Sequence, residues 1–202
     1  MKIIYPDVKK SYALDGIELS LEICNGVYEP AEDTFLLARS INAYGKTLEI
    51  GSGSGLISIY LAKKGYNVQC TDINQEAVEC IFRNQKNNSV SFPCIRSDLF
   101  SEVQGIYDVI IFNPPYLPTD DNMSNSEQWN GGDDGFQVTG KFLMDAEKHL
   151  SENGSIFIIL SSLTNIEKLI KKFDNYSFEK IGEEHFFFET IFSYKLQKNK
   201  RD

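Results

Sequence analysis

The sequence predicts an α/β protein: a doubly wound, mostly parallel seven-stranded sheet that ends in an antiparallel hairpin. Three observations lead there. From about Thr47 onward, short apolar runs alternate with segments of helical spacing, and strands joined by crossover helices form a parallel sheet covered on both faces. The last two runs follow each other with no room for a helix, so they pair as a hairpin. The first run feeds directly into a glycine cluster that opens a helix, the place where open α/β sheets bind ligands at the carboxyl ends of their strands.

Taken in order, Ile17, Leu19, Leu21 and Ile23 alternate with polar residues, which suits a half-buried antiparallel strand. Residues 29–42 then read as a helix laid over the sheet. Strands follow at 48–50, 68–73, 90–95, 107–113 and 155–160, with helices at 56–64, 75–86, about 136–150, and 165–173. Residues 177–184 and 185–196 make the hairpin. The aromatic run from Phe186 to Phe188 inside it is expected to pack on the core and along the sheet edge.

Composition narrows the function. Apolar residues make up 42% and charged residues 24%, ordinary globular usage, and the net charge of −9 repels phosphate chains. No stable nucleic-acid binding is expected. The N-terminus has no apolar core of signal-peptide length, and the longest apolar stretch, 156–160, falls far short of the roughly 20 residues that span a bilayer. A cytoplasmic protein without a membrane segment is the expectation. Cys24, Cys70, Cys80 and Cys94 form no CxxC pair and have no neighbouring histidine, so no metal site is expected and all four read as buried free thiols. His149 and His185 stand near no recognisable nucleophile.

The residues with chemical meaning begin at the end of the first parallel strand, Glu49-Ile50-Gly51-Ser52-Gly53-Ser54-Gly55. Their spacing is GxGxG; the dinucleotide fingerprint GxGxxG would need a glycine where Leu56 stands, and no GK[ST] follows to make a triphosphate loop. Asp72 ends the next strand about twenty residues on, where a carboxylate can take hydrogen bonds from both hydroxyls of a nucleoside ribose. Asp98 could receive an exocyclic adenine amine, with Leu99 offering its backbone N–H to the ring. The most specific signal is Asn113-Pro114-Pro115-Tyr116, directly after the strand YDVIIF. Proline has no N–H, so the main chain of Pro114 and Pro115 can only accept. Asn113 Oδ1 and the Pro114 carbonyl could together take both hydrogens of an NH₂ group, and Tyr116 could lie against a planar amide or base.

These residues resemble a known family. The glycine loop with Glu49 and Asp72 is similar to that of class I S-adenosylmethionine-dependent methyltransferases, and NPPY is the mark of those that methylate a planar amino nitrogen. The segment 26–37, GVYEPAEDTFLL, resembles the archaeal and eukaryotic short branch of the HemK family, the release-factor glutamine N5-methyltransferases, and 129–135, WNGGDDG, is similar to the loop that family carries near its substrate. The resemblance implies S-adenosyl-L-methionine as cofactor, held by Thr34, Glu49, Gly51, Gly53, Gly55, Asp72, Ile73, Asp98, Leu99 and Asn113. It implies catalysis at Asn113, Pro114, Pro115 and Tyr116, a class I translation release factor as substrate, and a small zinc-binding activator subunit as partner. Residues 1–202 form a single methyltransferase domain in this reading, with 1–45 an N-terminal strand and helix covering the cofactor cleft and 46–202 the catalytic core. Glu32 and Asp33 either touch the site or merely oppose the dipole of the helix they open. Two other readings stay open at this point: a methyltransferase for adenine or guanine amino groups in nucleic acid, and a noncatalytic cofactor-binding subunit.

Overall fold

A computed structural model describes residues 8–115 and 137–200. In chain order its elements are β1 (Val8–Leu14), β2 (Ile17–Ile23), α1 (Glu32–Ser40), β3 (Lys46–Ile50), α2 (Leu56–Lys63), β4 (Asn67–Asp72), α3 (Gln75–Asn87), β5 (Cys94–Arg96), β6 (Tyr107–Phe112), α4 (Gln137–His149), β7 (Leu150–Ser161), α5 (Ile166–Lys172), β8 (Tyr176–His185) and β9 (Thr190–Lys198). Seven strands form one sheet in the order β5-β4-β3-β6-β7-β9-β8. The first five are parallel, β9 adds antiparallel to β7, and β8 adds antiparallel to β9. This is the doubly wound sheet with a terminal hairpin that the alternation of runs predicts.

The continuous apolar character of the central strands follows from burial on both faces. Val109, Ile111, Phe157 and Ile159 point to one side, where α1, α2 and α3 supply Leu37, Ile57, Tyr60 and Val78. Ile110, Phe112, Ile156 and Ile158 point to the other, against Phe142, Leu143 and Ala146 of α4 and Leu169 of α5. The reversal of crossover direction lies between β3 and β6, so the ends of these two strands diverge into the loops that hold the glycine cluster and Asn113.

β1 and β2 stand apart as a two-stranded ribbon closed by Asp15-Gly16, with φ of 49° and 77°. A two-residue Asp-Gly turn with both φ positive matches the twist of a hairpin. The ribbon is fastened to α3 by side-chain amides. Asn84 Oδ1 accepts from Glu22 N at 2.7 Å and Asn84 Nδ2 donates to Glu22 O at 2.9 Å; Asn88 Oδ1 accepts from Ser20 N at 3.0 Å and its Nδ2 donates to Ser20 O at 2.7 Å. Four residues of helix rise about 6 Å and two of strand about 6.6 Å, so the two asparagines keep step with every second residue of β2.

Four expectations need correction. β1 is an additional strand, exposed along most of its length. β5 spans Cys94–Arg96, not 90–95, because Pro93 has no N–H to donate and contributes only its carbonyl, to Cys70 N at 3.0 Å. The aromatic run does not pack on the core: residues 186–189 form the β8–β9 turn, closed by Phe186 N to Glu189 O at 2.7 Å, which leaves Phe187 92% and Phe188 85% exposed. Finally, only Cys70 and Cys94, register partners on β4 and β5, are buried free thiols. Cys24 and Cys80 form a disulfide, since the ribbon's exit carries Cys24 against α3 with the two Cα atoms 6.0 Å apart. No helix among the described residues is long and apolar enough to cross a membrane.

Candidate active site

The loop after β3 is tied down from both sides. Ser52 N and Ser52 Oγ each donate to Thr71 O at 3.0 Å, and Gly55 N donates to Ser52 O at 2.8 Å. Gly53 and Gly55 carry φ of +54° and +84°, the left-handed region in which a side chain is strained. Gly55 also lacks lateral room, since a Cβ there would stand 3.0 Å from Ile81 Cγ1, whereas one on Gly53 would come into contact with Tyr28, 3.4 Å from its Cβ. Gly51, at φ +64°, completes the sequence of reversals that leads the chain into α2.

Two carboxylates flank this loop. Glu49 is buried beneath it, and its Oε2 accepts from Ser58 N at 3.0 Å and from the Ser58 hydroxyl. Burial pushes its pKa up to about 8, with the Ser58 hydrogen bonds opposing the shift. Asp72 Oδ2 accepts from Gly53 N at 2.8 Å and Oδ1 from Asn74 N at 2.9 Å. Burial raises its pKa as well, against these backbone donors. Beside it Ile73 is 57% exposed at the rim. Ser97 N reaches Asp72 O at 2.9 Å, which brings the Asp98-Leu99 turn to the same rim. Asp98 is exposed, and Leu99 is held at φ +48°, uncommon for a residue with a branched side chain, by a turn in which Ser97 Oγ donates to Leu99 O at 2.8 Å.

Asn113 emerges directly from the end of β6. Its Nδ2 donates to Asp33 Oδ2 at 3.0 Å. Asp33, buried in the first turn of α1, also accepts from the Tyr28 hydroxyl at 2.8 Å, from Thr34 N at 2.6 Å and from Thr34 Oγ1 at 3.1 Å. Burial, with the Asp33 charge next in weight, pushes the Tyr28 pKa well up, so the hydroxyl stays a donor. Asn113 Oδ1 is buried and has no hydrogen-bond partner among the described residues. Pro114 is buried behind it and Pro115 half-buried. Tyr116 and the segment 129–135 lie outside the described residues.

The structure thus gathers Thr34, Glu49, the three glycines, Asp72, Ile73, Asp98, Leu99, Asn113 and Pro114 at one end of the sheet, the carboxyl end of the parallel strands. Sequence reasoning missed two contributors. Tyr28 links the glycine loop to Asp33; its place inside GVYEP was the only available signal. Asn84 Nδ2 also donates to Ser54 O at 3.0 Å, supporting the glycine loop from below; a lone asparagine in a helix carries no mark of that.

The family model for the methyltransferase small domain matches residues 29–186. The chain belongs to this methyltransferase family. Among its relatives, the "Putative protein N5-glutamine methyltransferase MJ0928" of Methanocaldococcus jannaschii is 42% identical over 166 residues, covering 79% of this chain and 83% of that one. Methyltransferase HEMK2 of Mus musculus is 34% identical over 163 residues, 72% of this chain and 76% of its own. A solved Mtq2–Trm112 complex of E. cuniculi, described as responsible for methylation of the eRF1 translation termination factor, shares the fold of this methyltransferase with a TM-score of 0.71. It is 24% identical and covers 86% of this chain and 99% of that chain. The HemK-type resemblance drawn from GVYEPAEDTFLL therefore holds.

Proposed function

We propose that this methyltransferase moves the methyl group of S-adenosyl-L-methionine to N5 of the glutamine in the GGQ motif of a class I translation release factor. The observation that carries the reading is the buried Asn113 Oδ1, without a hydrogen-bond partner among the described residues, followed by two prolines that can only accept. Such a pocket calls for a group with two hydrogens to give, as a primary amide has.

The residues present suit the cofactor. The glycine loop lets a ligand approach main-chain atoms with no Cβ in the way, and each Asp72 oxygen has one backbone donor and further acceptor capacity for a ribose hydroxyl. Exposed Ile73 and Asp98 suit the apolar face and the exocyclic amine of adenine, and Thr34 with Glu49 suits the amino-acid end. When bound, S-adenosyl-L-methionine supplies an electrophilic sulfonium methyl. The chain's part is orientation. Asn113 Oδ1 and the Pro114 carbonyl each accept one N–H of the amide, which turns the nitrogen lone pair out of conjugation and stabilises the positive charge that develops there. Methylation would leave the nitrogen positively charged and strongly acidic, so one of its protons would then pass to water without a strong base, with the neutral thioether of the cofactor as the leaving group. A glutamate in the same place would bring no donors and a repelled charge.

The substrate is read as protein because a net charge of −9 opposes a polyanion. A small zinc-binding activator subunit, implied by the HemK-type resemblance, is the proposed partner, in keeping with the two-protein complex that shares this fold. The proposed setting is the cytoplasm. The test offers the methyltransferase, with and without such an activator, labelled cofactor, a release factor and an adenine-containing oligonucleotide at equal concentration, and locates the label by mass spectrometry. Label on the GGQ glutamine is expected. Asn113→Ala should lower turnover on the order of 100-fold, which corresponds to about 3 kcal/mol of transition-state stabilisation. Faster transfer to the oligonucleotide at physiological salt would replace the protein-substrate reading with the nucleobase one.

A further inference from the structure

An asparagine side chain has nearly the same shape after a half-turn about its last bond, which exchanges the oxygen and the NH₂. What Asn113 offers a substrate therefore depends on what holds its other side. Here that neighbour is Asp33, and an ionised carboxylate only accepts, so it admits Asn113 in the one orientation that turns Nδ2 inward. Asp33 has no freedom to do otherwise. The Tyr28 hydroxyl reaches both of its oxygens, at 2.8 and 2.9 Å, and Thr34 N and Thr34 Oγ1 reach Oδ1. These donors fix its rotamer.

We propose that Asp33 is the positioning residue that sets the orientation of Asn113, so that Oδ1 and not Nδ2 faces the acceptor nitrogen, and that this restricts the acceptor to groups that bring N–H hydrogens. The inference rests on the reading that Asn113 holds that nitrogen. With Asn113 flipped, the cleft would present an NH₂ donor, which repels a primary amide and welcomes a carboxylate or carbonyl oxygen. Asp33 thus stands between a glutamine-selective cleft and one that also admits glutamate. Its negative charge also polarises the Asn113 amide through the Nδ2 hydrogen bond, which strengthens Oδ1 as an acceptor as positive charge grows on the substrate nitrogen. A role confined to opposing the dipole of α1 needs only an exposed acid in the first turn, and Glu32 already supplies one. That role does not account for a carboxylate only 4% exposed and surrounded by donors from three residues besides its own.

The test combines Asp33→Asn, Asn113→Ala and the double variant, with turnover on release factor, cofactor affinity by calorimetry, and the side-chain amide resonances of Asn113, assigned by their loss in Asn113→Ala. Asparagine at 33 can offer either its oxygen or its NH₂, which frees Asn113 to flip. Asp33→Asn should lower kcat about tenfold or more, leave cofactor affinity within about twofold, shift the Asn113 amide resonances, and add nothing in the Asn113→Ala background. Full turnover by Asp33→Asn, where Asn113→Ala has lost it, would overturn the role of Asp33 and leave the functional reading intact. An equal loss in both backgrounds would overturn it too, since Asp33 would then act independently of Asn113. Full turnover by Asn113→Ala would instead overturn the functional reading. The amide resonances need no substrate and still decide whether Asp33 orients Asn113, because unmoved signals in Asp33→Asn would refute it. Should Asp33→Asn fail to fold, Tyr28→Phe removes one of the donors that fix Asp33. It should lower kcat severalfold in the wild-type background and not in Asn113→Ala; no change in either refutes the proposal.

Discussion

Asn84 offers a test that separates support of the fold from support of the cofactor loop. Its side chain is fully buried and makes three hydrogen bonds to main-chain groups: Glu22 N to Oδ1, and Nδ2 to Glu22 O and to Ser54 O. Asn84→Ala removes all three and leaves main-chain groups of β2 and of the glycine loop without partners. At about 1 kcal/mol net for each bond the loss is about 3 kcal/mol, more where a deserted group stays dry. For a chain of this size that lowers Tm by about 6–12 °C. Asn88→Ala is the matched control, because Asn88 bonds Ser20 of the same ribbon and, among the described residues, makes no hydrogen bond to Ser54. Both variants should lose stability in urea denaturation, but only Asn84→Ala should also weaken calorimetric binding of S-adenosyl-L-methionine, through the loosened Ser54 carbonyl. A loss below about 0.5 kcal/mol in Asn84→Ala, or equal cofactor weakening in the two variants, would refute the reasoning.

Further outcomes follow from the site and its surroundings. Asp72→Ala should weaken cofactor binding by about 1.5–3 kcal/mol, the range for hydrogen bonds to a charged group; unchanged affinity in calorimetry would remove Asp72 from the ribose site. The Glu49 carboxyl is raised from 4.5 to about 8 in the folded chain, so the folded state holds a proton that the unfolded state releases earlier. Its contribution is complete below pH 4.5 and is lost as the pH rises through 8. Glu49→Gln, which cannot titrate, should flatten the fall in unfolding free energy across that window, and an unchanged slope would contradict the buried, protonated Glu49. Thiol titration of the unfolded, unreduced chain should find two reactive cysteines, and four after reduction, with the disulfide worth about 4 kcal/mol in the chain-entropy picture for a separation of 56 residues. Four before reduction would restore the free-thiol expectation.

How much of this was legible in the sequence depends on what each residue competes with. β6 and the apolar part of β7 were plain, because strands buried on both faces leave uninterrupted apolar runs, as Tyr107–Phe112 does. β1 escaped because Lys9, Lys10 and Ser11 interrupt its apolar alternation, leaving only Tyr12 and Leu14 to reach the core, although the Asp15-Gly16 turn that follows is a hairpin signal. Phe186–Phe188 misled because phenylalanine favours strands and the turn contains no Gly, Asn or Pro to announce it. The Cys24–Cys80 pairing depends on a seat 56 residues away in sequence that no spacing rule conveys. At the site, Gly51, Gly53, Gly55, Asp72 and Asn113 were legible because few residue types can do what they do. Asp33 was left ambiguous because an acid in the first turn of a helix already has an adequate local explanation, and only the approach of Asn113, 80 residues on, distinguishes the two.

The seat of the ribbon on α3 also bears on how the protein behaves in a crowd. An isolated two-stranded ribbon has open edges, and an open edge is a template on which another chain can lengthen the sheet. Asn84 and Asn88 present to β2 what a neighbouring strand would present, one acceptor and one donor at every second residue. A rigid helix that imitates a strand in this way satisfies that edge without offering a further edge beyond itself, so pairing cannot propagate from chain to chain through β2. Replacing the two asparagines by apolar residues of similar size would therefore do more than loosen the ribbon: it would return its inner edge to the solution as a place where fibrous association can start.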